Sequence, residues 1–423
     1  MTGYSYIYII LSVILLLYSI SNRLDLLCVA AVCYIVYSIY CIPGIGISGF
    51  YRPRLSPSLY GAVYVQLLII ISYIVLSRFV IKTQEASGLG NNDEMDRDNV
   101  LRLSFRVYTL IILAFAIMNI LSAGVAGFME GKSTVWERTN VFYIISLYGA
   151  WASFAYGIHN NDKMVWIISL LIELTIFFAG SRAFLATIIV IFLCEKGTSL
   201  WKNRKGNLRI FLLGAFGIVF LLIYRMVDHN IMVGDISGAL TILKNPDTWL
   251  TALEFNEPRV IIANYDYAFT SGVRMPLGDV IYRIIDFVPG LTSLFKIDLM
   301  YPEYYSTWLM EQVHGGSGVG GSVWGESYSM MGFPGIVVFT LIWLAFIYKC
   351  NKHLDYHGNY SYFLVSLGIY FAWYINRLDF NRIAQACKVM LLCFLIWLFV
   401  YLIFGGVLIL GKTGITLWNR NSG

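Results

Sequence analysis

The chain reads as an all-α polytopic membrane protein. It has about 11–12 transmembrane helices and one large external loop that holds short amphipathic helices. Three observations predict this. First, 58% of the 423 residues are hydrophobic and only 13% are charged, where a soluble domain carries about a quarter. Second, apolar runs of membrane-spanning length recur along the chain. Third, the pattern breaks once, over the 104 residues 227–330, a stretch too polar to span and too long for a plain connector.

The elements follow in order. The first apolar run, at about 4–20, has no basic flank before it and no small-residue cleavage site after it. It therefore reads as a membrane helix rather than a signal peptide. Further spans fall at about 24–42, 60–81, 104–123, 140–158, 164–180, 183–196 and 209–226. After the loop come spans at about 331–349, 360–376 and 388–410. This divides the chain into helices 1–8 over 1–226, the loop over 227–330, and helices 9–11 with the C-terminus over 331–423.

Lys and Arg set the orientation. Segment 197–208 carries Lys202, Arg204 and Lys205 and is placed in the cytoplasm. Alternation then puts the long loop outside, where its twelve Asp and Glu against five Lys and Arg agree with an external face. Eleven helices leave the N-terminus on the outside. The seven cysteines are scattered, none lies in the loop and no CxxC pair exists, so neither a disulfide framework nor a zinc site is expected.

The loop is rich in Tyr, Trp and Leu, a composition of packed structure rather than disorder. Pro276 can open a helix. From there Leu277, Val280, Ile281, Ile284, Ile285 and Val288 recur at three and four, with Asp279, Arg283 and Asp286 off the stripe, until Pro289-Gly290 ends it. This predicts a short amphipathic helix at the outer membrane–water boundary. A second helical stretch is expected around 247–263.

The segment His314–Gly335 holds eight glycines in twenty-two residues, with a G-x-G-x-x-G match at Gly316, Gly318 and Gly321. No strand precedes it and no βαβ unit surrounds it, so a dinucleotide cradle is not expected. Tight turns, or close approach of backbone to a ligand or another helix, account better for the glycines. Nothing in the chain calls for a nucleic-acid partner.

Charges near membrane depth are costly and mark candidate sites. Arg182 sits in the Gly180-Ser181-Arg182 hairpin at the external boundary, and Arg225 ends helix eight on the same side. With Arg259 and Arg274 in the loop, they form a candidate diphosphate-binding set, because Arg grips phosphate by bidentate hydrogen bonds. Arg283 reads as a solvated surface charge. Glu173 lies among apolar residues in helix six without an assigned partner. Arg377, Asp379 and Arg382 read as anchors of a helix end. His314 and Glu326 share the external mouth and are candidate general bases. No metal-binding motif is present.

Several stretches resemble those of bacterial O-antigen polymerases of the Wzy type. They are Leu253-Glu254-Phe255, Ile281 to Leu291 with its Pro289, and Gly325-Glu326-Ser327-Tyr328 running on to Gly332 and Gly335. Related O-antigen ligases also carry a Ser-Arg hairpin and an external His, which His314 resembles.

The polymerase resemblance implies a GT-C-like, metal-independent glycosyltransferase of the bacterial inner membrane, without a cofactor, acting on its periplasmic face. Donor and acceptor would be oligosaccharide repeat units on undecaprenyl diphosphate. A chain-length co-polymerase of the Wzz type would be a partner. Catalysis is expected from Glu326, His314 and Arg182. Substrate binding is expected from Arg182, Arg225, Arg259, Arg274, Glu254, Trp324 and Tyr328, with Trp324 and Tyr328 stacking on sugar faces. The ligase, which transfers the chain to lipid A–core, is one alternative. A flippase for lipid-linked oligosaccharide is another.

Overall fold

The structure is a computed structural model. It describes residues 3–22, 25–41, 55–84, 94–129, 141–178, 182–201, 227, 230, 234–247, 257–295, 299–300, 304–312, 321–355 and 360–421. Among these the chain is helical almost throughout, with no strand. The helices are α1 (Gly3–Asn22), α2 (Leu26–Ser38, prolonged by a 3-10 turn to Cys41), α3 (Pro57–Gln84), α4 (Glu94–Met129), α5 (Val141–His159), α6 (Lys163–Phe178) and α7 (Arg182–Trp201). The loop holds α8 (Ile236–Lys244), α9 (Glu257–Thr270), α10 (Leu277–Ile285), α11 (Leu291–Phe295), α12 (Tyr305–Gln312) and α13 (Val323–Met331). The chain closes with α14 (Phe333–Asp355), α15 (Ser361–Tyr374) and α16 (Phe380–Asn421).

Five stretches among the described residues are long and apolar enough to cross a membrane: Pro57–Ser77, Asn99–Ser122, Val141–His159, Phe333–Leu354 and Phe380–Gly405. Two shorter apolar helices cover Ser5–Tyr18 and Leu26–Cys41. The all-α membrane class is therefore borne out, and five of the eleven expected spans coincide with helices of crossing length among the described residues. The expected span at 209–226 lies outside the described residues, as do the basic turn at 202–205 and most of the hairpin before Arg182. α16 starts eight residues earlier than the apolar run that announces it, because Asp379 caps its first turn by accepting from the N–H of Arg382.

Two compact units divide the chain. One comprises residues 1–84, 196–355 and 367–388, the other 85–195, 356–366 and 389–423. In the second unit α5 and α6 form a close hairpin. A Cβ at Gly157 would stand 2.6 Å from the Trp166 backbone nitrogen. Phe105 stacks on Tyr156 at 4.1 Å between ring centroids, with Tyr362 and Trp397 closing around it. Glu173 is fully buried in α6, and neither of its carboxylate oxygens meets a hydrogen-bond partner among the described residues.

In the first unit a buried Gln66 on α3 stitches four helices together. It accepts from Tyr34 of α2 at 2.7 Å and Tyr265 of α9 at 3.2 Å, and donates to Thr340 of α14 at 3.2 Å. Buried amides that satisfy several donors at once fix one arrangement of helices in apolar surroundings. Asn351 near the end of α14 accepts from the N–H of Leu26 and donates to Asp25, the α2 cap. So α2 and α14 run antiparallel. The C-terminal end of α2 and the N-terminal end of α14 share one face of this unit. Tyr8 of α1 bonds Ser38 at 2.8 Å, which brings the N-terminal part of α1 to that same face. α9 joins there, because Asp266 accepts from both the N–H and the hydroxyl of Ser56, just before α3. The loop helices thus sit where α3, α14 and α16 begin.

Candidate functional site

The loop makes its own small core. Met275, Val280, Tyr305, Trp308 and Leu309 pack together, with Tyr267, Val273 and Met330 against them. On this core α13 is set as a short helix leading into α14. Ser322 caps it by accepting from Gly325 N–H, and Gly332 ends it at φ +69°, a left-handed conformation suited to glycine. Gly315, Gly316, Gly318 and Gly320 lie outside the described residues, whereas Gly321, Gly325 and Gly335 are closely faced by protein. A Cβ at Gly325 would meet α9 at Ala268 and Asn264, 3.3 and 3.4 Å away. One at Gly335 would meet the Ser327 carbonyl at 2.2 Å, and one at Gly321 the Asp379 backbone at 3.2 Å. Close helix approach, rather than an open ligand loop, is what Gly321, Gly325 and Gly335 allow.

α13 places Glu326 at the centre of a buried polar cluster. Its Oε1 accepts from Arg283 Nε on α10 at 2.5 Å, and its Oε2 accepts from the backbone N–H of Phe380 at 2.7 Å. Both side chains are at most 1% exposed. The Phe380 N–H is the first of α16, so the carboxylate sits at a helix N-terminus, where negative charge is favoured. Burial nonetheless dominates. It pushes the Glu326 carboxyl up to about 7, with the Arg283 guanidinium pulling it down, Asp379 adding to the rise and the Phe380 N–H opposing it.

The surrounding charges are held in turn. Arg283 Nη1 donates to the Asp279 carbonyl at 3.3 Å, and the Asp279 side chain accepts from the Met300 N–H at 3.1 Å. Asp379 accepts from the Ser306 hydroxyl at 2.9 Å. Asp286 accepts from Lys388 at 2.8 Å and from Asn381 at 3.5 Å. Glu326 and Arg283 are thus bonded to each other and to backbone groups of Phe380 and Asp279, while Asp379 with Ser306, and Asp286 with Lys388 and Asn381, are held by bonds of their own.

The expected site residues divide into three groups. Glu326 is central. Arg274 and Tyr328 meet each other beside it: Arg274 is exposed, donates to the Tyr328 carbonyl at 2.8 Å and lies 4.2 Å over the Tyr328 ring. It therefore caps the C-terminal end of α13, while its guanidinium covers one face of the tyrosine. Trp324 is buried at 2% exposure. It donates to Asn376 at 2.8 Å and meets Tyr34, Phe339 and Trp343 edge-on. In this arrangement its indole packs on protein rather than facing a sugar. Arg259 is buried in the first turn of α9. Arg182 is described only as the residue that opens α7. Arg225, Glu254 and His314 lie outside the described residues.

Sequence reasoning missed Arg283, which pairs with Glu326 instead of facing solvent. It also missed Asp286 and Lys388. A usable signal existed, since Asp279, Arg283 and Asp286 fall together on the side of α10 away from its apolar stripe. Asp379 and Arg382, expected to anchor the end of helix ten, instead lie at the start of α16, where Asp379 accepts from the N–H of Arg382. Of the second expected loop helix, around 247–263, residues 246–247 are helical and α9 runs from Glu257, while 248–256 lie outside the described residues.

A carboxyl held near neutrality beside a guanidinium, both shut away from water, can take or give a proton and can offer a cation to an anion that displaces the carboxylate. Comparison with protein-family models, with curated proteins and with solved structures found no match to this chain.

Proposed function

We propose that the protein is a glycosyltransferase that polymerises undecaprenyl-diphosphate-linked oligosaccharide repeat units on the periplasmic face of the bacterial inner membrane, as O-antigen polymerases do. The observation that carries this reading is the buried Glu326–Arg283 pair at the junction of the loop and the membrane helices. The acceptor hydroxyl attacks the anomeric carbon of the donor, whose bond to the lipid diphosphate breaks. Glu326 takes the hydroxyl proton, and the departing diphosphate carries off the bonding pair. Arg283, drawn from Glu326 toward the diphosphate, stabilises the growing negative charge. Loss of one such donor costs on the order of 10²–10³ in rate. Arg274, at the exposed end of α13, is placed to meet the diphosphate before it reaches Arg283.

The test is deletion of the gene in the bacterium that carries it, followed by gel analysis of the surface polysaccharide. Lipid A–core capped with a single repeat and no ladder is the expected pattern, and only wild-type protein, not Glu326→Gln, should restore the ladder. Bare core with polymer stranded on its lipid carrier would mark a ligase. Bare core with only single lipid-linked units would mark a flippase.

A further inference from the structure

The segment from Pro276 to Phe295 turns its surface inside out. It holds only three charged residues, Asp279, Arg283 and Asp286, and all three are buried. Each is bonded to protein: Asp279 to Met300, Arg283 to Glu326, Asp286 to Lys388 and Asn381. The outward face is apolar. Leu277, Ile281 and Ile284 on α10 are exposed, as are Val288 in the turn after it and Leu294 and Phe295 on α11. Leu277 and Leu294 are each 74% exposed. A water-facing helix has the opposite arrangement, since desolvating three charges while wetting six large apolar side chains is unfavourable on both counts.

The path of the segment is a hairpin. α10 starts beside the end of α13, where Met275 N–H bonds the Ser329 carbonyl. It runs past Glu326 to Asn381 and Lys388 on α16. Pro289-Gly290 turns the chain, with Gly290 at φ +79°. α11 then leads back, so that Met300 N–H meets Asp279 near the start of α10. The two anchoring points lie at or within membrane spans. Ser329 lies just before the span Phe333–Leu354, and Lys388 lies inside the span Phe380–Gly405, where the uncharged run 389–404 of α16 begins. Part of the tip's backbone is bonded from within. The N–H groups of Val288, Leu291 and Leu294 bond the carbonyls of Ile285, Val288 and Gly290, and Pro289 has no N–H. Each group so bonded lowers the cost of entering hydrocarbon.

From these observations we infer that the α10–α11 hairpin is a membrane-inserted element, its apolar face and tip sunk among the lipid acyl chains of one leaflet and its charged face turned to the protein. The occupant of the apolar face is lipid. Lys388 fixes the depth by holding Asp286 at the border of the hydrocarbon, with its stem along apolar surface and its ammonium on the carboxylate. The hairpin also carries Arg283, so the group that pairs with Glu326 is mounted on a lipid-anchored arm.

The experiment uses the full-length chain in lipid nanodiscs, with its seven cysteines replaced and a nitroxide placed at Val288→Cys or Leu294→Cys. Leu402→Cys, on the exposed flank of the span Phe380–Gly405, serves as the lipid reference. Collision with oxygen and with a water-soluble nickel chelate is measured at each site. High oxygen and low nickel accessibility at both hairpin sites, as at Leu402, is the expected result. High nickel accessibility would place the hairpin in water and overturn the inference. Low accessibility to both would mean a protein covers the face, which would also overturn it. In case the cysteine-free chain does not fold, wild-type protein in nanodiscs containing a phosphatidylcholine with a diazirine on its acyl chain gives a second reading. Photoadducts on the 276–295 peptide are expected, and their absence, with adducts present on 389–404, overturns the inference.

Discussion

Glu326 and Arg283 bind each other in a place closed to water, and this makes their energetics asymmetric. The pair repays its desolvation only while both members are present. Arg283→Met leaves a buried carboxylate without its guanidinium and is expected to cost about 3–5 kcal/mol of stability, unless the carboxyl protonates. Protonation is the easier route, because burial already holds it near 7. The pH dependence follows in two opposite directions. An unfolded-chain glutamate titrates at about 4.3, so the folded state binds the extra proton between that value and about 7. Stability from this group therefore falls as pH rises through that window and is fully lost above it. Activity that needs Glu326 as a base rises over the same window, with its inflection near 7. In Arg283→Met the inflection moves to higher pH, because the guanidinium no longer favours the charged form. Chain-growth rate and denaturation midpoint, each followed from pH 5 to 9 as a working range about the neutral point, check both directions. An unshifted inflection in the variant would remove Glu326 from the role of base. Of this centre, Glu326 was legible in the sequence through its place at a helix entry after a glycine-rich run. Arg283 was legible only as part of the charged face it forms with Asp279 and Asp286, because nothing local points to the carboxylate 43 positions away that it meets.

Elements are set by close contacts that local sequence announces only in part. The α13–α14 corner depends on Gly335, where a Cβ would lie 2.2 Å from the Ser327 carbonyl oxygen. That oxygen belongs to a helix backbone and cannot swing aside as a side chain would. Gly335→Ala is therefore expected to push α13 off α14 at a cost of about 1–3 kcal/mol, and with it to loosen the Glu326–Phe380 bond. The denaturation midpoint in detergent checks the first effect and the chain-growth rate the second. By contrast, a Cβ at Gly405 would meet nothing within 4 Å among the described residues, and Gly405→Ala should leave both measurements near wild type. The apolar spans were legible because twenty uncharged residues have few other readings. The stripe of α10 was legible as well, from its spacing. The direction of its faces was not, because the usual rule sends charge outward to water. Beside a membrane, outward means lipid, and the charges of α10 turn in. The short helices α8, α11, α12 and α13 left little periodic signal, since one to three turns offer too few positions to establish a period.

At the scale of the molecule, the first unit commits to a topology that follows from three contacts. Asn351 bonds the start of α2, so the C-terminal end of α14 and the N-terminal end of α2 share a face. Tyr8 bonds Ser38, so the N-terminal part of α1 shares the opposite face with the end of α2. Asp266 bonds Ser56, which places α9 on that opposite face with the start of α3. The beginning of α1 and the loop helices therefore lie on one face of this unit. A shared side is also what eight spans before the loop would give, the last of which, at 209–226, lies outside the described residues. Cysteines introduced separately at Gly3 and at Thr270, an exposed position at the end of α9, should react alike with a membrane-impermeant maleimide in intact spheroplasts. If the loop faces the periplasm, both label without permeabilisation, and both are blocked by a prior impermeant reagent. Labelling of Thr270→Cys alone would place α1 the other way up. The Tyr8–Ser38 bond could not then coexist with the Asp266–Ser56 bond in one membrane-spanning unit. Labelling of neither until the membrane is opened would turn the whole unit over and put the Glu326 centre on the cytoplasmic side, where a periplasmic chain transfer could not take place.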